Sequence, residues 1–225
     1  HRVLVARGAH GVDALLALAR ARHIAVEPVE RHRLDQALHA AHHQGVAAEV
    51  SPFAYSPLDD LVQTEHATLL LILDSLQDPQ NFGTLLRTAQ ACGADGVIIP
   101  EHRAVGVTPA VSNASAGAVE HLRVARVTNL TRALEDLKQR GVWTYGLVVD
   151  ASQPFWSVDW TTPSALIVGS EGTGISRLVR EHCDALVNIP MSDGAVQSLN
   201  AAVAGSLVLY EALRQRRQGR QPQRR

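Results

Sequence analysis

Several residue types are scarce in this sequence of 225 residues. It contains two cysteines, one methionine and a single lysine, Lys138, and aromatic residues make up 4% of the chain. Cys92 and Cys183 lack metal-ligand spacing, so we expect reduced thiols and a cytoplasmic protein. No apolar run approaches the ~18 residues that span a bilayer, and no signal-peptide pattern opens the chain. We therefore expect neither a membrane protein nor a secreted one.

The positive charge is almost entirely arginine and is unevenly distributed. The formal net charge of −1, taken as an average, argues against a nucleic-acid-binding protein. After the last acid, Glu211, six arginines follow: Arg214, Arg216, Arg217, Arg220, Arg224 and Arg225. Such a cluster suits contact with an RNA backbone, and it equally suits a solvated tail. The sequence leaves both interpretations open.

Histidine is concentrated near the start of the chain. Seven of the eleven histidines precede residue 44, and His39, His42 and His43 form a local group. These three lack cysteine or acidic partners at ligand spacing, so a polar surface is favoured over a metal site. We expect no bound metal.

The order of apolar and polar segments predicts two α/β domains. We expect a small domain over residues 1–50, a proline-bearing linker over 51–67, a larger domain over 68–216 and a basic tail over 217–225. The chain opens at the edge of a strand, so we expect the small domain to lack its first element. In the larger domain, apolar strands alternate with helices, which predicts a parallel sheet covered on both faces.

Three predicted strand ends in the larger domain carry unusual residues, and ligands bind at such ends in open α/β sheets. The first is the segment 74–87, in which a turn precedes a helix predicted over 84–92. Asn81 is a candidate helix cap or site residue. Arg87, further along, is a candidate site residue or a surface ion-pair partner.

The second strand end reads Gly169-Ser-Glu-Gly-Thr-Gly174. Glycines after a buried strand let the backbone approach a ligand closely. The order G-x-x-G-x-G differs from the dinucleotide pattern G-x-G-x-x-G, which disfavours a nucleotide-dependent oxidoreductase. Glu171 would repel a pyrophosphate, so a ligand without phosphates is favoured, and a plain tight turn is the alternative.

The third strand end covers residues 188–200. Pro190 ends the strand, and Met191 is the only methionine, for which core packing is the alternative to a site role. Ser198 is predicted to cap a long helix reaching about Arg216, with Asn200 in its first turn.

Together and in this order, the three segments resemble the signature motifs of the SpoU (TrmH-like) family of RNA ribose 2′-O-methyltransferases, in the SPOUT class. The resemblance covers Leu69 to about Arg216. The start of the chain, with His43-Gln-Gly-Val-Ala47, is similar to the small substrate-binding domain, of the L30e type, of the bacterial 23S rRNA guanosine 2′-O-methyltransferases.

The resemblance implies a C-terminal trefoil knot, a homodimer, an RNA substrate and S-adenosylmethionine as cofactor. It implies that Arg87 is the catalytic arginine, supported by Asn81, Glu171 and Asn200. Arg87 then acts either as a base or as a phosphate-binding group that orients the ribose hydroxyl. The implied cofactor-binding residues are Gly169, Gly172, Ile189, Met191, Ser198 and Leu199.

The expected activity is methylation of a ribose 2′-hydroxyl, with guanosine in 23S rRNA as the expected target. Two alternatives remain at this stage. One is a tRNA methyltransferase of the same family, and the other is a non-catalytic RNA-binding protein with this fold.

Overall fold

The computed structural model describes residues 1–38, 43–192, 194 and 197–220. The chain divides into two compact units, His1–Phe53 and Ala54–Arg225. His39 and His42, which entered the question of a metal site, lie outside the described residues.

The small unit is a three-stranded sheet with two helices. Its elements are β1 (Arg2–Ala6), α1 (Asp13–Ala21), β2 (Ala25–Val29), α2 (Arg31–Ala37) and β3 (Val46–Glu49). The strand order is β2-β1-β3, with β1 parallel to β2 and antiparallel to β3. Ala6, Val29 and Leu34 form its buried core. The strands and helices of this unit agree with the small α/β domain expected from the sequence.

The larger unit is built on a seven-stranded sheet. Its strands are β4 (Leu69–Asp74), β5 (Gly96–Pro100), β6 (Val124–Val127), β7 (Trp143–Leu147), β8 (Gln153–Pro154), β9 (Ser164–Gly169) and β10 (Ala185–Asn188). The order is β6-β5-β4-β9-β7-β10-β8, and every pair is parallel. All residues of the central strands β4 and β9 are buried, as expected for strands covered on both faces. The predicted parallel α/β sheet is confirmed.

Helices cover both faces of this sheet. They are α3 (Pro79–Ala91), α4 (Pro109–Ala114), α5 (Leu130–Gln139), α6 (Arg177–Glu181) and α7 (Ala201–Arg220). The helices α5 and α6 join the core formed by Leu70 and Ile72. On the opposite face, α3 and α7 pack closely, because Gly205 leaves room for Leu85 and Val168. A hydroxyl pair, Thr88 Oγ1 and Ser206 Oγ at 2.9 Å, joins the two helices.

Two helix starts differ from the sequence prediction. The helix α3 begins at Pro79, five residues before the predicted start, because Asp78 accepts hydrogen bonds from the backbone N–H groups of Gln80 and Asn81. Asn81 therefore lies inside the first turn and is not the cap. The helix α7 begins at Ala201, so Ser198 precedes it and is not its cap.

The segment predicted as a linker is partly built into the larger unit. A short 3₁₀ helix covers Leu58–Leu61, and Leu61 is completely buried in the core beside β5. The backbone N–H of Ser56 also donates to the carbonyl of Val124. Residues from Ala54 onward thus pack as part of the larger unit.

Candidate active site

The ends of three neighbouring strands form one large cavity in the larger unit. It has a volume of about 670 Å³ and is lined by the segments that follow β7, β9 and β10 and by the start of α7. This volume is in the range of small-molecule sites. The cavity lies at the carboxyl edge of the parallel sheet, where ligands bind in open α/β folds.

All six residues predicted to bind the cofactor line this cavity: Gly169, Gly172, Ile189, Met191, Ser198 and Leu199. Met191 is 39% exposed, so core packing does not account for it. Of the four residues predicted as catalytic, Glu171 lines the cavity. The structure therefore gathers residues from two distant segments around one space.

The glycine-rich segment folds back over the end of β9 as a short hairpin. The backbone groups of Ser170 and Gly174 bond to each other in both directions, at 3.1 and 2.8 Å. A Cβ on Gly169 would lie 2.0 Å from the carbonyl carbon of Gly174, so only glycine allows this fold. By contrast, a Cβ on Gly172 would meet nothing within 4 Å. The fold therefore requires glycine at position 169, whereas position 172 has room for a Cβ.

Asp74 anchors this hairpin to the neighbouring strand, a role that the sequence did not reveal. Its side chain is buried at the end of β4, and Oδ2 accepts the backbone N–H of Ser176 at 2.7 Å. Oδ1 accepts the hydroxyl of Ser75, whose φ is +61°. One carboxylate therefore fixes the end of the glycine segment and the turn that leads toward α3.

Asn81, Glu171 and Asn200 form a hydrogen-bonded cluster beside the cavity. The side-chain amides of Asn81 and Asn200 both donate to Oε1 of Glu171, the latter at 2.6 Å. Asn200 Nδ2 also lies 3.0 Å from Asn81 Oδ1. These residues are widely separated in the chain, so the sequence motifs that suggested them converge in space.

Asn200 is also the N-cap of α7. Its Oδ1 accepts the backbone N–H groups of Ala202 and Val203, at 2.9 and 3.2 Å. The capping oxygen fixes the side chain, which directs Nδ2 toward Glu171. The prediction that Ser198 caps this helix is therefore wrong, and a site residue performs the capping.

Arg87 takes no part in the hydrogen bonds of this cluster. It is exposed on α3, two turns beyond Asn81, and makes no hydrogen bond or ion pair with the described residues. The alternative of a surface ion pair receives no support among these residues. The guanidinium is thus free to contact an external partner such as a phosphate.

An ion pair at the cavity wall escaped the sequence analysis. Arg180 on α6 donates twice to the carboxylate of Asp150, at 3.0 and 2.9 Å, and both residues line the cavity. The hydrogen bonds from Arg180 lower the pKa of Asp150. The pair links the segment after β7 to α6, although the two residues are 30 positions apart in the sequence.

The cavity is large enough for an adenosine-sized group. Within the described residues, no three histidine, cysteine or acidic side chains group as metal ligands, and His43 instead donates to Asp35 at 2.8 Å. Asn188, the last residue of β10, is among the residues that line the cavity. Backbone of the glycine segment lines one side. These features fit the expected cofactor.

No helix among the described residues has the length and hydrophobicity needed to cross a lipid bilayer.

Comparisons with known proteins agree with this geometry. The sequence model of the SpoU rRNA Methylase family matches residues 68–210, and that of RNA 2′-O ribose methyltransferase substrate binding matches residues 1–56. YacO of Bacillus subtilis, named among the TrmH family tRNA/rRNA methyltransferases, is 47% identical over 206 residues, covering 90% of this chain and 82% of YacO. The 23S rRNA (guanosine-2′-O-)-methyltransferase of Pseudomonas syringae pv. tomato is 44% identical over 215 residues, 94% of this chain and 85% of that protein.

A solved structure shares the fold. The SpoU methyltransferase AviRb from Streptomyces viridochromogenes, in complex with AdoMet, matches with a TM-score of 0.83 and 28% identity, over 97% of this chain and 83% of that one. The chain belongs to the SpoU rRNA methylase family.

Proposed function

We propose that this chain methylates the ribose 2′-hydroxyl of a guanosine in 23S rRNA. As a SpoU family member it is an RNA 2′-O-methyltransferase that uses S-adenosylmethionine, and the proposal concerns its target and its site residues. The observation that carries it is the cluster of Asn81, Glu171 and Asn200 directly beside the cavity. The relative named for 23S rRNA guanosine supports the target.

Glu171 is proposed to accept the hydrogen bond of the reacting ribose hydroxyl. The cofactor, when bound, supplies a methyl group already activated by its sulfonium, so the chain must position a hydroxyl and accept its proton. The amides of Asn81 and Asn200 hold Oε1 of Glu171, while Oε2 makes no hydrogen bond to the described residues. A carboxylate held by one oxygen can present the other to the substrate.

Arg87 is proposed to bind the phosphate next to the target ribose. Its guanidinium is exposed, and a solvated guanidinium keeps its charge, which favours phosphate contact over the role of a base. A planar guanidinium can hold two phosphate oxygens at once and thereby fix the position of the ribose.

The small unit is proposed to recruit the RNA, since residues 1–56 match the substrate-binding model. It is similar to that part of the 23S rRNA enzymes in sequence, which favours rRNA over tRNA. An rRNA substrate also implies activity in the cytoplasm. The L30e-type fold of this unit and the trefoil knot of the larger one remain predictions.

A homodimer is proposed to form through α7. Val203, Leu207 and Tyr210 follow the i, i+4, i+7 spacing of one helix face and are 49, 45 and 56% exposed. An apolar stripe of this kind is typical of an interface. Substituting Leu207 by Asp should produce monomers in light scattering, and an unchanged mass would contradict this interface.

Methyl transfer to defined RNAs tests the proposed function. Tritiated S-adenosylmethionine is incubated with unmodified 23S rRNA fragments and, separately, with unmodified tRNA, and the labelled ribose is mapped. Label in a guanosine of 23S rRNA supports the proposal. Label only in tRNA would agree with the family assignment and contradict the proposed 23S rRNA target.

Arg87→Ala tests the assigned arginine in the same assay. We expect loss of methyl transfer while calorimetry still detects cofactor binding. Arg132→Ala on α5, another exposed arginine that forms no hydrogen bond or ion pair through its guanidinium within the described residues, is the matched control and should remain active. Normal turnover by Arg87→Ala would overturn the assignment.

A further inference from the structure

An ion pair in the wall of the cofactor cavity has no part in the proposed methyl transfer. Arg180 on α6 donates from Nη1 and Nη2 to the two carboxylate oxygens of Asp150, and both residues line the cavity. Among the described residues that line it, Glu171 is the other charged side chain and Arg180 is the only cation. Glu171 already accepts the amides of Asn81 and Asn200. The pair is therefore the charged group of this wall whose role is still to be assigned.

Both members of the pair are accessible to a ligand. The Arg180 side chain is 39% exposed and the Asp150 side chain 59%. A guanidinium has five N–H donors, and Arg180 uses two of them for hydrogen bonds to the described residues. Each carboxylate oxygen of Asp150 accepts one of these bonds and can accept a second one. The cavity wall thus presents unused donors beside unused acceptor positions.

The amino-acid end of S-adenosylmethionine matches this pair in charge. It carries a carboxylate and an ammonium group on the same carbon atom. A planar guanidinium binds a carboxylate with two parallel hydrogen bonds, and an ammonium group donates readily to a carboxylate. An exposed ion pair gains little free energy in water, so its two members can turn toward a ligand at small cost.

We propose that Arg180 and Asp150 are specificity-determining residues that bind the amino-acid end of S-adenosylmethionine, with Arg180 at the carboxylate and Asp150 at the ammonium group. The two side chains come from α6 and from the segment after β7, and their mutual hydrogen bonds hold the two charges side by side. The inference rests on the cofactor of the proposed function and is independent of the RNA target.

Two thioethers that differ in the amino-acid end test this proposal by calorimetry. S-Adenosylhomocysteine has that end, and 5′-methylthioadenosine lacks it. Arg180→Gln should bind S-adenosylhomocysteine about 5- to 20-fold more weakly than the wild type, the lower part of the range for a charged hydrogen bond because the pair is partly exposed. Its affinity for methylthioadenosine should stay unchanged, which also shows that the variant is folded and its cavity intact.

Asp150→Asn separates the contributions of the two charges. It keeps the size of the side chain and removes the negative partner of the ammonium group, so it should bind S-adenosylhomocysteine more weakly and methylthioadenosine normally. Decarboxylated S-adenosylmethionine keeps the ammonium group and lacks the carboxylate. It should bind more weakly to Asp150→Asn, and at least as tightly to Arg180→Gln as to the wild type.

Arg177→Gln is the matched control. Arg177 also lies on α6 and pairs with a carboxylate, that of Glu181 at 2.9 Å, but it is not among the residues that line the cavity. This variant should bind every compound as the wild type does.

Two results would overturn the proposal. One is an Arg180→Gln variant that binds S-adenosylhomocysteine as tightly as the wild type. The other is an equal loss of affinity for both thioethers, which would make the pair a structural support of the cavity. A wild type that binds neither S-adenosylmethionine nor either thioether would instead contradict the proposed function itself.

Discussion

The side-chain amide of Asn200 donates to Oε1 of Glu171 at 2.6 Å, across 29 positions of sequence. The contact joins the start of α7 to the hairpin that follows β9. Because Oδ1 of the same amide caps α7, the backbone of the helix orients the Nδ2 donor. The geometry of the carboxylate thus depends on helix capping, a local property, as well as on packing.

Substitution of Glu171 should reduce the rate of methyl transfer more than it reduces the stability of the protein. Glu171→Ala removes the acceptor of two amides, and we expect kcat to fall about 10- to 100-fold, the range for hydrogen bonds to a charged group. Initial rates at saturating cofactor measure this change. Glu181→Ala on α6, an exposed carboxylate paired with Arg177, should retain normal rates. Equal rates for both variants would remove Glu171 from the site.

Two substitutions of Asn200 should separate its roles in capping and in catalysis. Serine is an efficient N-cap but lacks the amide donor, so Asn200→Ser should keep stability within a few tenths of a kcal/mol and lose activity. Asn200→Ala lacks both groups and should also lose about 1 kcal/mol of unfolding free energy. Urea unfolding and rate measurements on both variants decide the matter. An active serine variant would reduce Asn200 to a cap.

Gly169 and Gly172 should respond differently to alanine. In Gly169→Ala the new Cβ would meet backbone atoms at 2.0 and 2.2 Å, so the hairpin must shift, and both stability and cofactor affinity should fall. Gly172→Ala meets no protein atom within 4 Å and should leave the ligand-free protein stable. Thermal unfolding with and without cofactor measures both effects. A stable Gly169→Ala variant would contradict the close approach described above.

The arginines after Glu211 should differ in role: Arg216 stabilises the fold, and the others are tested for RNA binding. Arg216 donates to the carbonyls of Ala67, Thr68, Trp160 and Thr162, at 2.6 to 3.0 Å. Lysine cannot reproduce this planar set of donors, so Arg216→Lys should cost about 2 kcal/mol of unfolding free energy. Arg217→Lys is the control in urea unfolding, with a change near zero expected.

The remaining arginines then test the RNA-binding interpretation of the tail. Arg214 is paired with Glu211, so deletion from residue 214 would remove internal contacts as well as charge. Replacing Arg217, Arg220, Arg224 and Arg225 by glutamine keeps Arg214 and Arg216 in place and removes four positive charges. If the tail binds RNA, the salt dependence of binding should flatten by roughly 0.7 to 0.9 per lost phosphate contact. An unchanged slope would favour a solvated tail.

Both thiols should be unreactive in the folded protein. Burial raises the pKa of Cys92 to about 11 and that of Cys183 to about 12. At pH 8 both therefore remain protonated, and the thiolate is the reactive form. A disulfide reagent should modify them at least about 100-fold faster in urea than in buffer. Rapid modification of the native protein would show that the two thiols are accessible and would contradict their burial.

The sequence determined much of the fold and of the candidate site. Apolar runs such as β4 identified a parallel sheet, because strands covered on both faces have no polar side. The three strand ends also identified the right segments, since turn residues and glycines leave a local pattern. The family resemblance of these segments then named six residues that line the cavity, whereas Asp150 and Arg180 of the same wall were not foreseen.

The helix starts were less predictable, because several polar residues compete for the cap. Asp78 and Asn200 occupy the cap positions that the pattern gave to Asn81 and Ser198. Which side chain reaches the free N–H groups depends on how the preceding turn is held by the sheet, and this is not encoded in spacing alone.

Only the tertiary structure decided which side chains meet. The hydrogen bond from Ser176 to Asp74 spans 102 positions, and the one from Asn81 to Glu171 spans 90. Arg214, Arg216 and Arg217 look alike in sequence. Of these three, Arg216 is the one that donates to carbonyls of two segments far from it in the sequence. A side chain's role is set by the atoms that folding brings within about 3 Å, and distance along the chain carries little information about them.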